Sequence, residues 1–144
     1  MLPLLTRIDH VGIACRDLNK AMELYQATFG LKVVTVETHE AQGVREAMLA
    51  VTEGAPEPGY IQLLEPLGPD TPVGKFLARR GEGMHHIGYG VADIGAALSA
   101  LGATGIRLID ERPRHGSMGA SIAFLHPADL GGVLTELVQS VTAT

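Results

Sequence analysis

The chain has 144 residues, the length of one ordinary domain or of two very small ones. Hydrophobic residues make up 46% of the sequence and charged residues 19%, so the composition is typical of a packed globular protein and excludes a disordered chain. The net charge of −5 argues against nucleic-acid binding, and no apolar run approaches the ~20 residues that cross a membrane. A single cysteine, Cys15, and an N-terminus without a charged segment ahead of its short apolar stretch favour a cytoplasmic protein without a signal peptide.

The first half of the chain is predicted to form a strand, a helix and three further strands. Residues 7–15 alternate in polarity and size, as a strand does. Asp17 is a candidate N-cap for a helix that runs to about Phe29, and Gly30 suits the left-handed residue that ends it. Strands at residues 31–38, 44–51 and 60–65 complete the order βαβββ.

The second half is predicted to repeat this order after a linker. The linker contains a short helix at residues 73–80. A strand at 84–91 and a helix at 94–102, capped by Asp93, are followed by strands at 105–110, 119–125 and 132–138. We therefore divide the chain into a first module at residues 1–66, a linker at 67–83 and a second module at 84–144, which together form one structural domain.

The two modules are diverged copies of one unit. His10 and His86 lie 76 residues apart, each as the third residue of a similar segment, IDHVGIA and MHHIGYG. The predicted helix caps Asp17 and Asp93 have the same separation. Because a copy of about 65 residues is too small to bury a core alone, we expect the modules to pair. The predicted fold is α+β, with a curved eight-stranded mixed sheet around a concave metal site.

Each histidine-bearing strand has one large face and one small face. Side chains alternate along a strand, so Gly12 shares a face with His10, and Gly88 and Gly90 share a face with His86. These glycines are expected to leave open space beside each imidazole, as a binding site requires.

The last strand of each copy supplies a polar side chain between apolar neighbours. Gln62 and Glu136 lie 74 residues apart, and the turn at residues 52–59 is expected to absorb the difference from the repeat offset. The predicted ligands are one histidine and one oxygen donor from each copy: His10, Gln62, His86 and Glu136. This thiolate-free set suits a divalent ion and does not choose among cobalt, manganese, nickel and zinc. A strand histidine alone is more commonly a core or surface residue, but recurrence in both copies favours the metal site.

Glu46 marks an asymmetry between the copies. At the repeat offset it corresponds to Ile122, although neighbouring positions in the two strands match in size and polarity. Glu46 either faces solvent on an edge strand or lies over the metal as a general base, and the second interpretation is favoured. Glu136 is then the candidate for the opposite side of the substrate.

The other four histidines are not predicted to take part in the chemistry. His85 points to the face opposite His86 and is interpreted as structural. The remaining three lie in loops or at strand ends, and no role is assigned to them: His39, His115 and His126.

Several segments resemble the vicinal-oxygen-chelate, or glyoxalase, superfamily of paired βαβββ metalloenzymes, and within it the methylmalonyl-CoA epimerase family. The most specific are GEGMHHI at residues 81–87 and the HP and GGVLTEL segments within residues 126–137. Matches such as YQATFG at residues 25–30 extend the resemblance over nearly the whole chain. By this resemblance the four predicted ligands correspond to the family's metal ligands, and Glu46 corresponds to a proposed base.

The resemblance implies a specific activity. It implies interconversion of (2R)- and (2S)-methylmalonyl-CoA by proton transfer through a metal-stabilised enolate, with Glu46 and Glu136 as the proton-transfer groups. A cobalt preference and a homodimer are implied as well. Two alternatives stay open: a glyoxalase I-like lyase that acts on a glutathione adduct, and a non-catalytic small-molecule-binding protein of the same fold.

Overall fold

The computed structural model describes residues 4–51 and 59–141. The helices and strands in chain order are β1 (Leu5–Ala14), α1 (Leu18–Phe29), β2 (Lys32–His39), β3 (Val44–Ala50), β4 (Tyr60–Pro66), α2 (Pro72–Arg80), β5 (Gly83–Val91), α3 (Ile94–Ala103), β6 (Arg114–His115), β7 (Ser121–Leu125) and β8 (Thr135–Gln139). The strands form one mixed sheet in the order β2-β3-β4-β1-β5-β8-β7-β6. This confirms the α+β class and a mixed sheet of eight strands, seven of which lie where they were predicted.

The chain divides into two compact units, His10–His85 and the remainder. The module boundaries predicted near residues 66 and 83 stay a prediction. Most of the turn at residues 52–59, which is expected to absorb the shorter offset, lies outside the described residues.

The unit His10–His85 contains an antiparallel meander closed by a parallel strand. β3 pairs antiparallel with β2 and β4, and β4 pairs parallel with β1 from His10 to Ala14. The Asp17 side chain accepts a hydrogen bond from the Lys20 amide, and Gly30 ends α1 at φ 69°, so both predicted helix signals are confirmed. One core cluster here is built from Cys15, Leu18, Ala47, Leu49 and Leu63.

The second unit repeats this plan. β5 pairs parallel with β8, and β8 pairs antiparallel with β7. The Asp93 side chain accepts a hydrogen bond from the Ala96 amide and caps α3, as predicted. Its largest core cluster contains Val91, Ile94, Ala97, Leu98, Ala123, Leu125 and Leu137.

The strand predicted at residues 105–110 is wrong. Within the described residues, only Leu108 in that stretch forms a bridge, to Leu125, and the outer strand is the two-residue β6. The amides of Ile109 and Asp110 both donate to the Phe124 carbonyl, and the Asp110 carboxylate accepts the Phe124 amide at 2.9 Å. A side-chain acceptor thus replaces a backbone partner, which interrupts a regular ladder.

A second carboxylate holds the same segment from the other side. Asp129 accepts hydrogen bonds from both the backbone amide and the guanidinium of Arg107, at 2.9–3.0 Å. These bonds stabilise the charged carboxylate and lower the pKa of Asp129 to about 2. The segment is therefore fixed by side-chain carboxylates together with a few backbone hydrogen bonds to Phe124 and His126, without a regular strand ladder.

The helices are short. α1 has 12 residues, α2 has 9 and α3 has 10. In the two described ranges, no helix has the length and apolar character needed to span a bilayer.

Candidate metal centre and catalytic carboxylates

Polar side chains of the unit His10–His85 share one face of the sheet. Gln62 is paired with Gly12 on one side and with Met48 on the other. Because alternate residues of a strand share a face, Gln62 lies diagonal to His10 on β1 and to Glu46 on β3. All three polar side chains are buried, with exposed fractions of 3–5%.

The Glu46 carboxylate is held from two sides. Gln62 Nε2 donates a hydrogen bond to Glu46 Oε2 at 2.5 Å. On the neighbouring strand, His39 Nε2 lies 2.9 Å from Glu46 Oε1 and 3.6 Å from Glu37 Oε1. Since β3 runs between β2 and β4, Glu46 is an internal residue of the sheet and does not face solvent as one alternative required.

In the second unit, His86 and Glu136 are brought together by the pairing of β5 and β8. Glu136 is the register partner of Gly88, which is the glycine two residues after His86 on the same face. His86 Nε2 lies 3.5 Å from Glu136 Oε1, and both side chains are buried. The His86 ring also packs edge-on against Phe124, with centroids 5.5 Å apart. The imidazole is therefore fixed by packing beside a carboxylate.

Three of the four predicted ligands have the chemistry of a metal centre. His10, His86 and Glu136 are each buried, and each offers an atom of the kind that binds metal ions. Two imidazole nitrogens and a carboxylate oxygen, without a thiolate, suit a first-row divalent ion. The residues present therefore fit such an ion, and Gln62 lies on the strand paired with that of His10.

Cys15 does not belong to this chemistry. Its thiol is buried, and burial raises its pKa to about 12, with nearby carboxylates adding to the shift. The thiol is protonated at neutral pH, whereas a metal ligand or nucleophile must be a thiolate.

The space expected beside Gly90 is filled. A Cβ placed on Gly90 would overlap the guanidinium of Arg7. Arg7 donates hydrogen bonds to Asp9 Oδ1 at 2.8 Å and to Ser140 Oγ at 2.6 Å. Gly90 therefore makes room for an arginine, and the prediction of open space beside it is wrong. For Gly88, the register partner of Glu136, open space stays a prediction.

Two histidines outside the predicted ligand set have distinct surroundings. His85 packs edge-on against Phe76 at 4.9 Å, which agrees with a structural role. His39, to which the sequence pattern assigned no role, lies against the Glu46 carboxylate. The only sequence signal for this contact is that His39 ends a strand two residues after Glu37, and the strand register is needed to place it beside Glu46.

Comparison with known proteins identifies a family and a set of relatives. The sequence model of the Glyoxalase/Bleomycin resistance protein/Dioxygenase superfamily matches residues 9–124. The mitochondrial methylmalonyl-CoA epimerase of Homo sapiens is 39% identical over 137 residues, which cover 94% of this chain and 75% of that protein.

Two similar solved structures are also methylmalonyl-CoA epimerases. A methylmalonyl-CoA epimerase in complex with methylmalonyl-CoA and NH4+ is 52% identical, with a TM-score of 0.91 and coverage of 96% of each chain. The methylmalonyl-CoA epimerase of Mycobacterium tuberculosis is 42% identical, with a TM-score of 0.91, and the match covers 99% of this chain and 94% of that one.

Proposed function

Because the chain belongs to the Glyoxalase/Bleomycin resistance protein/Dioxygenase superfamily, we propose that it catalyses the metal-dependent interconversion of (2R)- and (2S)-methylmalonyl-CoA. The observation that carries the proposal is similarity over nearly the whole chain to methylmalonyl-CoA epimerases, one of them solved with methylmalonyl-CoA bound at 52% identity. The buried carboxylate and His/Glu group described above supply the groups that proton transfer next to a thioester requires.

The proposed metal ligands are one histidine and one oxygen donor from each copy of the repeat. They are His10, Gln62, His86 and Glu136. When bound, a divalent ion acts as a Lewis acid that stabilises negative charge on the thioester oxygen of the substrate. The protein's own part is to hold two imidazoles and two oxygen donors in a buried setting, where water competes weakly for the ion.

The proposed proton-transfer groups are Glu46 and Glu136. Epimerisation removes the α-proton from one face of the carbon and returns a proton to the opposite face, so two groups are needed. Glu46 is buried and held by hydrogen bonding to Gln62, which suits a base of fixed orientation. Glu136 is the candidate for the other face, and its basicity is lower if it also binds the ion.

The test is proton exchange in deuterated water. Metal-loaded protein is incubated with one epimer of methylmalonyl-CoA, and deuterium at the α-carbon and formation of the other epimer are followed by NMR. We expect both, at rates that fall on chelation and recover on adding metal. A different result would support the glyoxalase I-like lyase: the protein converts the methylglyoxal–glutathione adduct, and no deuterium enters methylmalonyl-CoA.

A non-catalytic binding protein would behave differently again. It would show neither conversion nor exchange with any of cobalt, manganese, nickel or zinc, and that result would overturn the proposal. Matched runs without protein give the background rate of exchange, because the α-proton of a thioester exchanges slowly by itself.

The proposal extends to the ion, the assembly and the compartment. The proposed ion is Co²⁺, the proposed assembly is a homodimer and the proposed compartment is the cytoplasm. The resemblance to the epimerase family supports the first two, and the single buried cysteine supports the third. Reconstitution with each metal, light scattering on the eluted protein and cell fractionation test them separately.

A further inference from the structure

The base proposed above lies next to a second carboxylate. Glu37 on β2 is the direct register partner of Glu46 on β3, so two acidic side chains stand side by side on the same face of the sheet. Like charges directly opposite each other in a strand pair repel. Because Glu46 is buried, solvent screens this repulsion poorly. A neighbouring polar group is therefore needed to keep the Glu46 carboxylate in place.

His39 provides that group. It follows Glu37 by two residues and therefore shares its face, diagonal to Glu46. Its Nε2 atom lies 2.9 Å from Glu46 Oε1 and 3.6 Å from Glu37 Oε1. Nε2 makes no hydrogen bond within the described residues, so the interaction is a close polar contact between the ring nitrogen and the carboxylate oxygens. The ring stands at the point where the two carboxylates approach each other.

The contacts divide the two oxygens of Glu46 between two neighbours. Oε2 accepts the hydrogen bond from Gln62, and Oε1 faces His39. With an amide on one oxygen and an imidazole on the other, rotation of the carboxylate about its last bond breaks both contacts. The pair therefore fixes the plane in which Glu46 presents its oxygens.

The repeat provides an internal contrast. His115 lies at the repeat offset from His39, and Ile122 at the same offset from Glu46. His115 ends the short β6 and is exposed, whereas His39 is only 18% exposed. A histidine occupies the end of the outer strand in both copies, but only the first copy has a carboxylate, Glu46, on the next strand for that histidine to contact.

We propose that His39 is a positioning residue for Glu46, whose imidazole fixes the orientation of the Glu46 carboxylate beside Glu37. This inference rests on the proposed function, in which Glu46 accepts the α-proton. His39 does not touch the substrate in this role. It acts on turnover through the orientation of the base.

The test compares two substitutions of His39 with a remote histidine control. His39→Leu removes the polar contact, while His39→Gln retains an amide nitrogen at a similar distance from the backbone. Misplacement of a catalytic group costs up to about 100-fold in rate, so His39→Leu is expected to lower kcat by about 10- to 100-fold with KM changed less than about twofold. His39→Gln is expected to recover most of that loss. His126→Gln, at the start of a turn in the second module, is expected to match the unmodified protein.

A double-mutant cycle separates this role from a general loss of structure. If His39 acts through Glu46, adding His39→Leu to Glu46→Gln causes no further loss of kcat, because the group it positions is already gone. Losses that multiply would overturn the positioning role, as would a His39→Leu protein with unchanged kcat. A second metal ion per chain that is lost in His39→Leu would also overturn it, because Glu37, His39 and Glu46 would then be ligands.

The same variants distinguish failure of the proposed function from failure of the proposed role of His39. If Glu46→Gln alone retains normal turnover, Glu46 is not the base and the proposal for His39 falls with it. If Glu46→Gln is impaired and the cycle is additive, the base assignment stands and only the role of His39 is lost. Thermal unfolding of each variant checks that a kcat change is not a change in the folded fraction.

Discussion

The two copies of the repeat agree at their inner strands and differ at their outer ones. In each copy a glycine on the histidine strand is the register partner of a polar residue on the last strand: Gly12 with Gln62, and Gly88 with Glu136. At the outer edge, β2 has eight residues and pairs along β3, whereas β6 has two. The shared part, the histidine strand and the last strand, supplies one histidine and one oxygen donor in each copy. The divergent part, the outer strands, contains the unmatched carboxylate Glu46, which has no counterpart in the second copy.

The outer strand explains why β3 of the first copy can bury a carboxylate at the position where β7 of the second copy has Ile122. Glu46 is flanked by polar partners on both neighbouring strands, His39 on β2 and Gln62 on β4. Ile122 packs instead with Ala120 and Val138, and a Cβ on Gly116 would overlap it. A buried charge is stable only with partners on its oxygens, so the long strand that contributes one of them is part of the site.

Removing a proposed ligand tests the shared part of the repeat and has the largest expected effect. His86→Ala deletes an imidazole beside Glu136, and we expect metal affinity to fall by at least about 100-fold, because even groups that only orient ligands contribute 10- to 100-fold. Metal content after gel filtration, measured by inductively coupled plasma mass spectrometry, checks this. Retention of one ion per chain would remove His86 from the ligand set.

Removing the unmatched carboxylate tests the divergent part. Glu46→Gln is expected to lower kcat by about 10²- to 10⁴-fold, the usual contribution of a general base, while metal content stays at the level of the unmodified protein. Glu40→Gln, an exposed residue just after β2, is the matched control and should retain full activity. Near-normal turnover of Glu46→Gln would mean that Glu46 is not the base and that the carboxylate at this position has only a structural role.

The sequence predicted the shared part of the molecule well and the divergent part poorly. The helices and seven of the strands could be predicted from local sequence patterns. These patterns are the periodicity, the Asp17 and Asp93 caps and the 76-residue offset. The stretch 105–110 has strand composition, but Asp129 accepts the Arg107 amide, and Asp110 of the stretch accepts the Phe124 amide. His39 could not be assigned because its contact depends on the register of two strands, which a local pattern does not contain.

Core truncation compares the stability of the two copies. Leu63 on β4 and Leu137 on β8 are both fully buried in the last strand of their copy. Leu63→Ala and Leu137→Ala are each expected to lower the free energy of unfolding by about 2–5 kcal/mol. Denaturant titration followed by circular dichroism measures both. A cost well below 1 kcal/mol for either would show that the strand's packing is not needed in that copy.

The smallest expected effect concerns the side-chain anchor that replaces strand pairing in the second copy. The folded-state pKa of Asp129 is about 2, below its ordinary value of 3.8, because Arg107 donates hydrogen bonds to the charged form. The carboxylate therefore stabilises the fold fully above about pH 4, and the contribution is lost as the pH falls through about 2. Asp129→Asn should be less stable than the unmodified protein at pH 7, and the difference should shrink as the pH falls from about 4 through about 2. A stability difference that does not change with pH would contradict this account.

The parallel pairing inside each copy has a consequence for the order of folding. His10 pairs with Tyr60 fifty positions later, and Gly88 with Glu136 forty-eight positions later, whereas the β2–β3 hairpin closes within a few residues. Contacts between distant positions form late, since a long loop must close before they gain anything. The helices and hairpin should therefore be present in refolding molecules before either histidine strand docks. Enzymatic competence should be regained last, after the circular dichroism signal has already returned.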